Sequence, residues 1–363
     1  MLTLSQFDYQ LPKKNIAQVP MEPRDHSKLL VLEKATGKIT HDHFYNLVKY
    51  LRKGDVLVRN NTKVINARLI GKKSTGGNVE VLLNRVVSED DTSMTWEALT
   101  KPGLKPGQTV VFEKNEMLLA AECKGETSDG YARLLHFNSP KSDFYSLLSV
   151  IGEVPLPPYI ATMSSTKIAE QYQTTYAQLQ GSVAAPTAGL HFTPDLDKKI
   201  KQSGIEICEV TLHVGIGTFL PVKTENITEH VMHEEIFSVS EAAAQQLNKA
   251  KLEGRRIIAV GTTTTRVLET LINQSVSKSM ISGSGNTKIF IYPRYKFQFV
   301  DAMITNFHLP KSTLLMLISA LVSFPNTTNP FTKFEESAVG SAYLEAIKEN
   351  YRFFSFGDAM MIV

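Results

Sequence analysis

Between Lys63 and Asn138 the chain reads as six short strands with almost no helix, and nothing else in it constrains the fold as much. The runs "VINARLIG", "NVEVLLNRVV", "TWEALT", "QTVVFEK", "LLAAEC" and "YARLLHF" are separated by the turn signals "TGGN", "KPGLKPGQ" and "SDG". Strands this short, joined by Gly- and Pro-bearing turns, bury a common face by forming a small antiparallel barrel or sandwich. Helix-and-strand segments abut it on both sides. The expected fold is therefore α/β, with a discontinuous main domain over 1–62 and 139–363 and an inserted β-barrel domain over 63–138.

The flanks carry their own signals. "KLLVLEKATGKIT" reads as a hairpin turning at Gly37, and "FYNLVKYLRKG" as a helix with Phe44, Leu47, Val48 and Leu51 on one face. "DVLVRNN" is a buried strand. After 139 a helix starts near Ser142, and "PDLDKKIKQSG" is a second helix, with Thr193 as N-cap and Pro194 at its first position. "IEICEVTLHVG" is a strand, "SEAAAQQLNKAKLEG" a helix capped by Ser240, and "RRIIAVG" a strand running into the helix "TRVLETLI". "TKIFIYP" reads as a strand and the apolar run after Pro310 as a helix, with a Ser-rich linker expected around 275–286.

The totals narrow the class. Of 363 residues, 42% are hydrophobic and 21% charged, which fits a globular protein able to bury a sizeable core. A net charge of +3 permits an RNA partner without arguing for one, because phosphate binding depends on local patches. The two cysteines, Cys123 and Cys208, match no metal or redox spacing and read as reduced thiols. The first residues lack a signal-peptide pattern, and "TLLMLISALVSF" is too short to span a bilayer. A cytoplasmic protein with no membrane association is expected.

Four polar clusters fall at strand ends, where α/β sheets hold ligands. They are "APTAGLHFT" with His191; "TLHVGIGTF" with His213, followed by "HVMHEE"; "GTTTTR", ending in Arg266; and "ITNFHLPKST", with Asn306 and His308. Each has a plainer reading. A lone histidine among apolar neighbours serves equally as a hydrogen-bonded core residue. Gly-x-Gly also marks bulges, and a threonine run caps helices. His230, His233 and Glu235 could face one metal, but the spacing lacks HExxH and fixes no third ligand, so no metal is expected. Five of the nine histidines lie in glycine-rich or helix-initiating turns, which favours chemistry.

The strings "DYQLPKKNIAQVPMEPRDHSKLLVL", "NNTKVINARLIG", "VAAPTAGLHFT", "VTLHVGIGTFLPV", "EHVMHEE", "AVGTTTTRVLE", "VDAMITNFHLPKSTLLMLISA" and "YRFFSFGDAM" run nearly end to end. Together they resemble the S-adenosylmethionine:tRNA ribosyltransferase-isomerase family of queuosine biosynthesis. The resemblance implies the same architecture and a transferase acting on tRNA with a 7-aminomethyl-7-deazaguanine wobble base. The ribosyl part of S-adenosylmethionine would move to that amine and rearrange to an epoxycyclopentane, releasing adenine and methionine. S-adenosylmethionine is then a substrate, no cofactor is required, and a monomer is expected.

That chemistry needs a base for the ribose C5′ hydrogens acidified by the sulfonium, with His191 or His213 as the candidates. A second acid/base group serves the amine and the departing adenine, with His308 or Glu235 as candidates. Arg24, Arg266 and Arg352 could hold phosphates or the methionine carboxylate, although Arg352 could equally pair with Asp358. Thr187, Gly189, Gly215, Gly217, Thr218, Thr263, Asn306 and Asp358 complete the expected substrate-binding set, the glycines allowing close approach. "YRFF" and "PRYKFQF" interleave basic and aromatic residues in a way that suits stacking on an RNA base. Asn61, Lys63 and Asn66 stand where the family usually has Asp, Arg and Pro, and Arg294 replaces a usual Gly. The stretch "PNTTNPFTKFEESAVG" is longer than is typical.

Two rivals differ in what they release. An RNA methyltransferase would give S-adenosylhomocysteine, but no strand-borne GxGxG loop opens the α/β alternation. An RNA-binding module built on the barrel, like an OB-fold, would release nothing and leave the histidine-rich turns without a role. Activity is expected to survive exhaustive chelation; loss with EDTA and recovery with zinc would instead point to His230, His233 and Glu235.

Overall fold

The structure is a computed structural model describing residues 2–127, 130–157, 159–160, 166–219 and 222–363. Its axis is strand β3 (Val56–Asn60), buried at all five positions, following the hairpin β1 (Lys28–Leu32) and β2 (Ile39–His43). A strand covered on both faces suits parallel pairing under helices. β3 accordingly runs parallel to β12 (Glu206–Leu212) on one side and β14 (Ile257–Val260) on the other. Nine strands make the sheet, in the order β15-β13-β12-β3-β14-β16-β17-β1-β2. Here β13 is Glu235–Val239, β15 Gly283–Thr287, β16 Ala302–Asn306 and β17 Ala359–Ile362.

The insert closes as a barrel of six antiparallel strands: β5 (Arg68–Lys73), β6 (Asn78–Glu89), β7 (Met94–Lys101), β8 (Thr109–Lys114), β9 (Met117–Glu126) and β10 (Arg133–Phe137). Trp96, Phe112 and Phe137 fill it, and helix α1 (Lys141–Ile151) packs Phe144 and Leu148 into the same core. Each large apolar side chain so buried contributes about 1.5–3 kcal/mol. Val183 and Ile216 extend that core into the main sheet's loops. Strand β4 (Thr62–Val64) pairs outside the barrel with β11 (Leu179–Ser182), after helix α2 (Thr166–Gln171). The six-stranded barrel departs from the five strands of an OB-fold.

Helix α3 (Pro194–Gln202) starts as the sequence predicts, the Thr193 hydroxyl accepting from the Leu196 N–H at 3.2 Å. Ser240 likewise caps α4 (Glu241–Leu252). α5 (Gly261–Gln274) follows β14 directly, and the threonine run lies inside it rather than capping it. Thr264 and Thr265 bond back to the carbonyls of Val260 and Gly261, at 2.8 and 3.1 Å. Helix α6 (Thr313–Leu321) is buried at seven consecutive residues; it begins after Ser312, its N-cap, rather than at Pro310. α7 (Ala338–Lys348) covers the adjacent core.

Two further expectations fail locally. "FYNLVKY" is a 3₁₀ helix over Phe44–Tyr50, in which Phe44 and Leu47, three apart, share the buried line. The "TKIFIYP" strand is displaced: the Ser/Gly-rich residues Gly283–Thr287, read as linker, form the edge strand against β13. An edge strand needs only main-chain groups, so small polar residues can supply it, while Ile291 is drawn into the core under α6.

The family departures have local explanations. Asn66 donates to the carbonyls of Ser149 and Gly152 at the end of α1, at 2.9 and 3.2 Å, a bond no proline could make. Lys63 is exposed. Arg294 sits in an exposed turn at φ +86°, in the left-handed region that favours glycine. Replacing Arg294 with Gly is expected to stabilise the fold by about 1 kcal/mol, read as a raised thermal midpoint; an unchanged or lowered midpoint would refute the strain.

Candidate active site

Parallel strands end on one edge of the sheet, and the turns leaving them make a cavity of about 450 Å³. Its wall is built by Gly261, Thr262 and Thr263 at the start of α5, by Thr305 to Ser312 at and beyond the end of β16, by Ala184 to Ala188, and by Tyr159, Tyr172 and Phe354. Gly261, at φ +87°, makes the sharp turn from β14 into α5. Of the expected site residues the cavity brings together Thr187, Thr263, Asn306 and His308. Asn60 joins the edge from behind, donating to the Leu212 carbonyl at 2.9 Å and accepting from the N–H groups of Leu212 and Thr62 at 3.0 and 3.1 Å.

His308 is buried, its Nε2 facing the Thr305 hydroxyl at 2.8 Å and its backbone N–H donating to Tyr343. Burial pushes its imidazole down to about 3, so it is neutral at physiological pH.

His191 lies behind the cavity wall. Burial, reinforced by the Arg352 and Arg24 guanidinium groups, lowers it to about 3. Asn306 explains its tautomer. The Asn306 Nδ2 donates to the Phe354 carbonyl at 3.2 Å, which fixes the amide, and the same Nδ2 donates to His191 Nε2 at 3.3 Å. His191 Nε2 therefore accepts, and its Nδ1–H donates to the Ser27 hydroxyl at 2.7 Å. With both nitrogens engaged and no place in the cavity lining, His191 acts as a strut. It borders instead a small pocket of about 20 Å³ shared with Arg24, which donates to the Gln173 carbonyl at 2.6 Å.

His213 lies at the end of β12, toward the barrel and outside the cavity lining. Its Nδ1 meets the Thr62 hydroxyl at 2.8 Å, and burial lowers it to about 4. The glycines expected to admit a ligand make room for protein instead. A Cβ on Gly189 would meet Tyr176 Oη at 2.1 Å, one on Gly215 would meet Asn84 Oδ1 at 2.6 Å, and one on Gly217 would meet His233 at 2.9 Å. Thr218 belongs to the 3₁₀ turn Ile216–Phe219, and its side chain lies outside the described residues.

The remaining charged candidates are paired. Glu235 and Arg266 form a buried ion pair with each other, which runs against a free acid at one and a free anion clamp at the other. Breaking such a pair costs about 3–5 kcal/mol. Arg352 faces Asp358 at 3.5 Å, the plainer of its two readings, and Asp358 accepts from the backbone N–H groups of Arg352 and Lys28 at 2.8 and 3.1 Å. Burial raises the Asp358 carboxyl against those contacts. Asn61 accepts from Thr211 at 2.7 Å and takes no part in the cavity wall. With Glu235 committed, His230 and His233 have no third ligand, and among the described residues no group of three His, Cys, Asp or Glu could hold a metal. Cys123 and Cys208 are both buried and free. No helix among the described residues is long and apolar enough to cross a membrane.

Sequence reasoning missed Asn60, Tyr159, Tyr172 and Ser27. Asn60 was visible as the polar end of a buried strand; the tyrosines and Ser27 carry no local pattern.

Comparison with known proteins covers the chain almost completely. A family model described as "Queuosine biosynthesis protein" matches residues 4–362. An S-adenosylmethionine:tRNA ribosyltransferase-isomerase from Heliobacterium modesticaldum is 51% identical over 360 residues, covering 98% of this chain and 98% of its own. A protein of the same description from Fusobacterium nucleatum is 49% identical, covering 99% of this chain and 96% of its own. The crystal structure of an S-adenosylmethionine tRNA ribosyltransferase from Thermotoga maritima matches with a TM-score of 0.54 at 38% identity, over 99% of this chain and 100% of that one.

The buried histidines set a pH dependence. Between about pH 4 and the usual histidine value near 6.5, the unfolded chain binds protons at His191, His213 and His308 that the folded protein does not. Stability is therefore greatest above that window and falls as pH drops through it, by up to about 1.4 kcal/mol per pH unit per histidine. Replacing His191 with Gln is expected to flatten the decline by one histidine's share, measured as thermal midpoint against pH; an unchanged slope would count against a neutral, buried His191.

Proposed function

The chain belongs to the queuosine biosynthesis protein family, and we infer from that membership that it acts as an S-adenosylmethionine:tRNA ribosyltransferase-isomerase. On this reading it transfers the ribosyl part of S-adenosylmethionine to the aminomethyl group of a 7-deazaguanine wobble base in tRNA and isomerises it to the epoxycyclopentane. Adenine and methionine leave. One proton comes from the ribose C5′ and one from the attacking amine; one of these ends on adenine and the other passes to solvent. A tRNA substrate places the work in the cytoplasm, with no resident cofactor and with the protein acting as a monomer.

The observation carrying the reading is the near-complete match of the chain, and the cavity's chemistry agrees with it. Thr187 and Thr263 offer hydroxyls to a neutral ribose, and Tyr159 and Phe354 offer rings. Of the four acid/base candidates His308 alone lines the cavity, in the neutral form a base requires, so it is assigned the proton transfer. His191 becomes a positioning residue acting through Asn306.

Incubating protein, S-adenosylmethionine and tRNA bearing the aminomethyl base is expected to release adenine and methionine in equal amounts. S-adenosylhomocysteine would mean methyl transfer, and no release at all would leave an RNA-binding module. Replacing His308 with Gln should lower turnover by about 10²-fold or more while RNA affinity holds. A folded variant with near-parent turnover would move the proton transfer elsewhere.

A further inference from the structure

Phe354 adopts a backbone conformation that bulky residues avoid. Its φ is +78°, in the left-handed region. Three hydrogen bonds impose it: the Phe354 N–H donates to the Phe307 carbonyl at 3.0 Å, while its own carbonyl accepts from the Gly357 N–H at 2.9 Å and from Asn306 Nδ2 at 3.2 Å. The turn closes tightly, since a Cβ on Gly357 would meet the Arg352 carbonyl at 2.5 Å. Strain held by its surroundings in this way gathers at functional sites.

Packing does not account for the ring. The neighbouring Phe353 and Phe356 are buried in core, whereas Phe354 is half-buried and lines the cavity, edge-on to Tyr159 with 4.0 Å between ring centroids. Leu309 and Leu314 extend the same apolar wall. A flat ring presented to a cavity whose lining holds no carboxylate among the described residues is well suited to stack on another flat ring.

We propose that Phe354 is held in its left-handed conformation so that its ring serves as a stacking platform for the purine-type heterocycle of a ligand in this cavity. The proposal rests on the functional reading above for its two sources of that ring: the adenine of S-adenosylmethionine and the deazaguanine of the tRNA.

The test compares Phe354→Gly with Phe354→Trp. Glycine relieves the backbone, so Phe354→Gly is expected to keep or raise the thermal midpoint, whereas loss of a core phenylalanine would lower it. Calorimetric titrations use S-adenosylmethionine alone and an anticodon stem-loop carrying the aminomethyl base alone, so that no turnover occurs. Phe354→Gly is expected to weaken by about ten-fold or more the arm whose ring is stacked, and Phe354→Trp to restore it. Weakening with S-adenosylmethionine assigns adenine; weakening with the stem-loop assigns the RNA base. Unchanged affinity in every arm, or a lowered midpoint with no restoration by Trp, overturns the stacking role while the functional reading stands. A parent protein that binds neither ligand and releases no adenine overturns both.

Discussion

An arginine in the middle of the sheet decides where everything else goes. Arg59 occupies the fourth position of the buried strand β3, where an unpaired guanidinium would be prohibitive. It is met by Asp197 at 2.6 Å from α3 and by Glu209 at 3.0 Å from β12, and it lies over the Tyr176 ring at 3.7 Å. Helix, sheet and the "TTYAQ" segment are thereby fixed to one another at the end of the central strand. Asn60, the next residue, clips β12 to the same point through two hydrogen bonds with Leu212, and accepts a third from the Thr62 N–H. The edge from which the cavity hangs is set by those two side chains.

The barrel is attached to that edge by polar side chains as well as by its two connections. Asn84 of β6 accepts from the Ile216 N–H at 2.9 Å and donates to Glu97 at 2.7 Å, and Gly215 leaves room for it. Arg85 bridges Glu97 of the barrel and Glu234 of the main domain, at 2.9 and 3.3 Å. Gly215, after His213, thus serves the seam between barrel and sheet, and among the described residues that motif gives the cavity wall only Val214.

Legibility in the sequence followed how local the cause was. The barrel strands, the caps Thr193 and Ser240, and the buried α6 came from signals within a few residues. The edge strand Gly283–Thr287 was hidden because main-chain pairing with β13 leaves no mark on side-chain composition. Of the candidate site, the stretches around Thr187, Thr263 and His308 line the cavity, while Glu235, Arg266, Arg352 and Asp358 pair with one another. His191 and His213 stand beside the cavity and His308 on its wall, yet a histidine string reads the same whether a serine or a substrate faces it. The Glu235–Arg266 pair joins residues 31 apart in sequence, and no local pattern reveals such a pairing.

Those pairings share a consequence for catalysis. On the inferred reaction the substrate enters with a positive charge on sulfur, and methionine departs as a neutral thioether. Four acids carried by the surrounding elements are turned elsewhere: Glu235 to Arg266, Asp358 to Arg352 and the Lys28 N–H, Asp197 and Glu209 to Arg59. Among the described residues the cavity lining holds no carboxylate, and its one formal cation, Lys311, meets Asp8 at 2.8 Å. Aromatic rings at the wall attract a cation weakly, and far less than a carboxylate would. A carboxylate there would hold the sulfonium in its ground state and oppose the loss of charge at the moment of C–S cleavage. A ring-bearing wall with no carboxylate among the described residues favours the step in which that charge disappears.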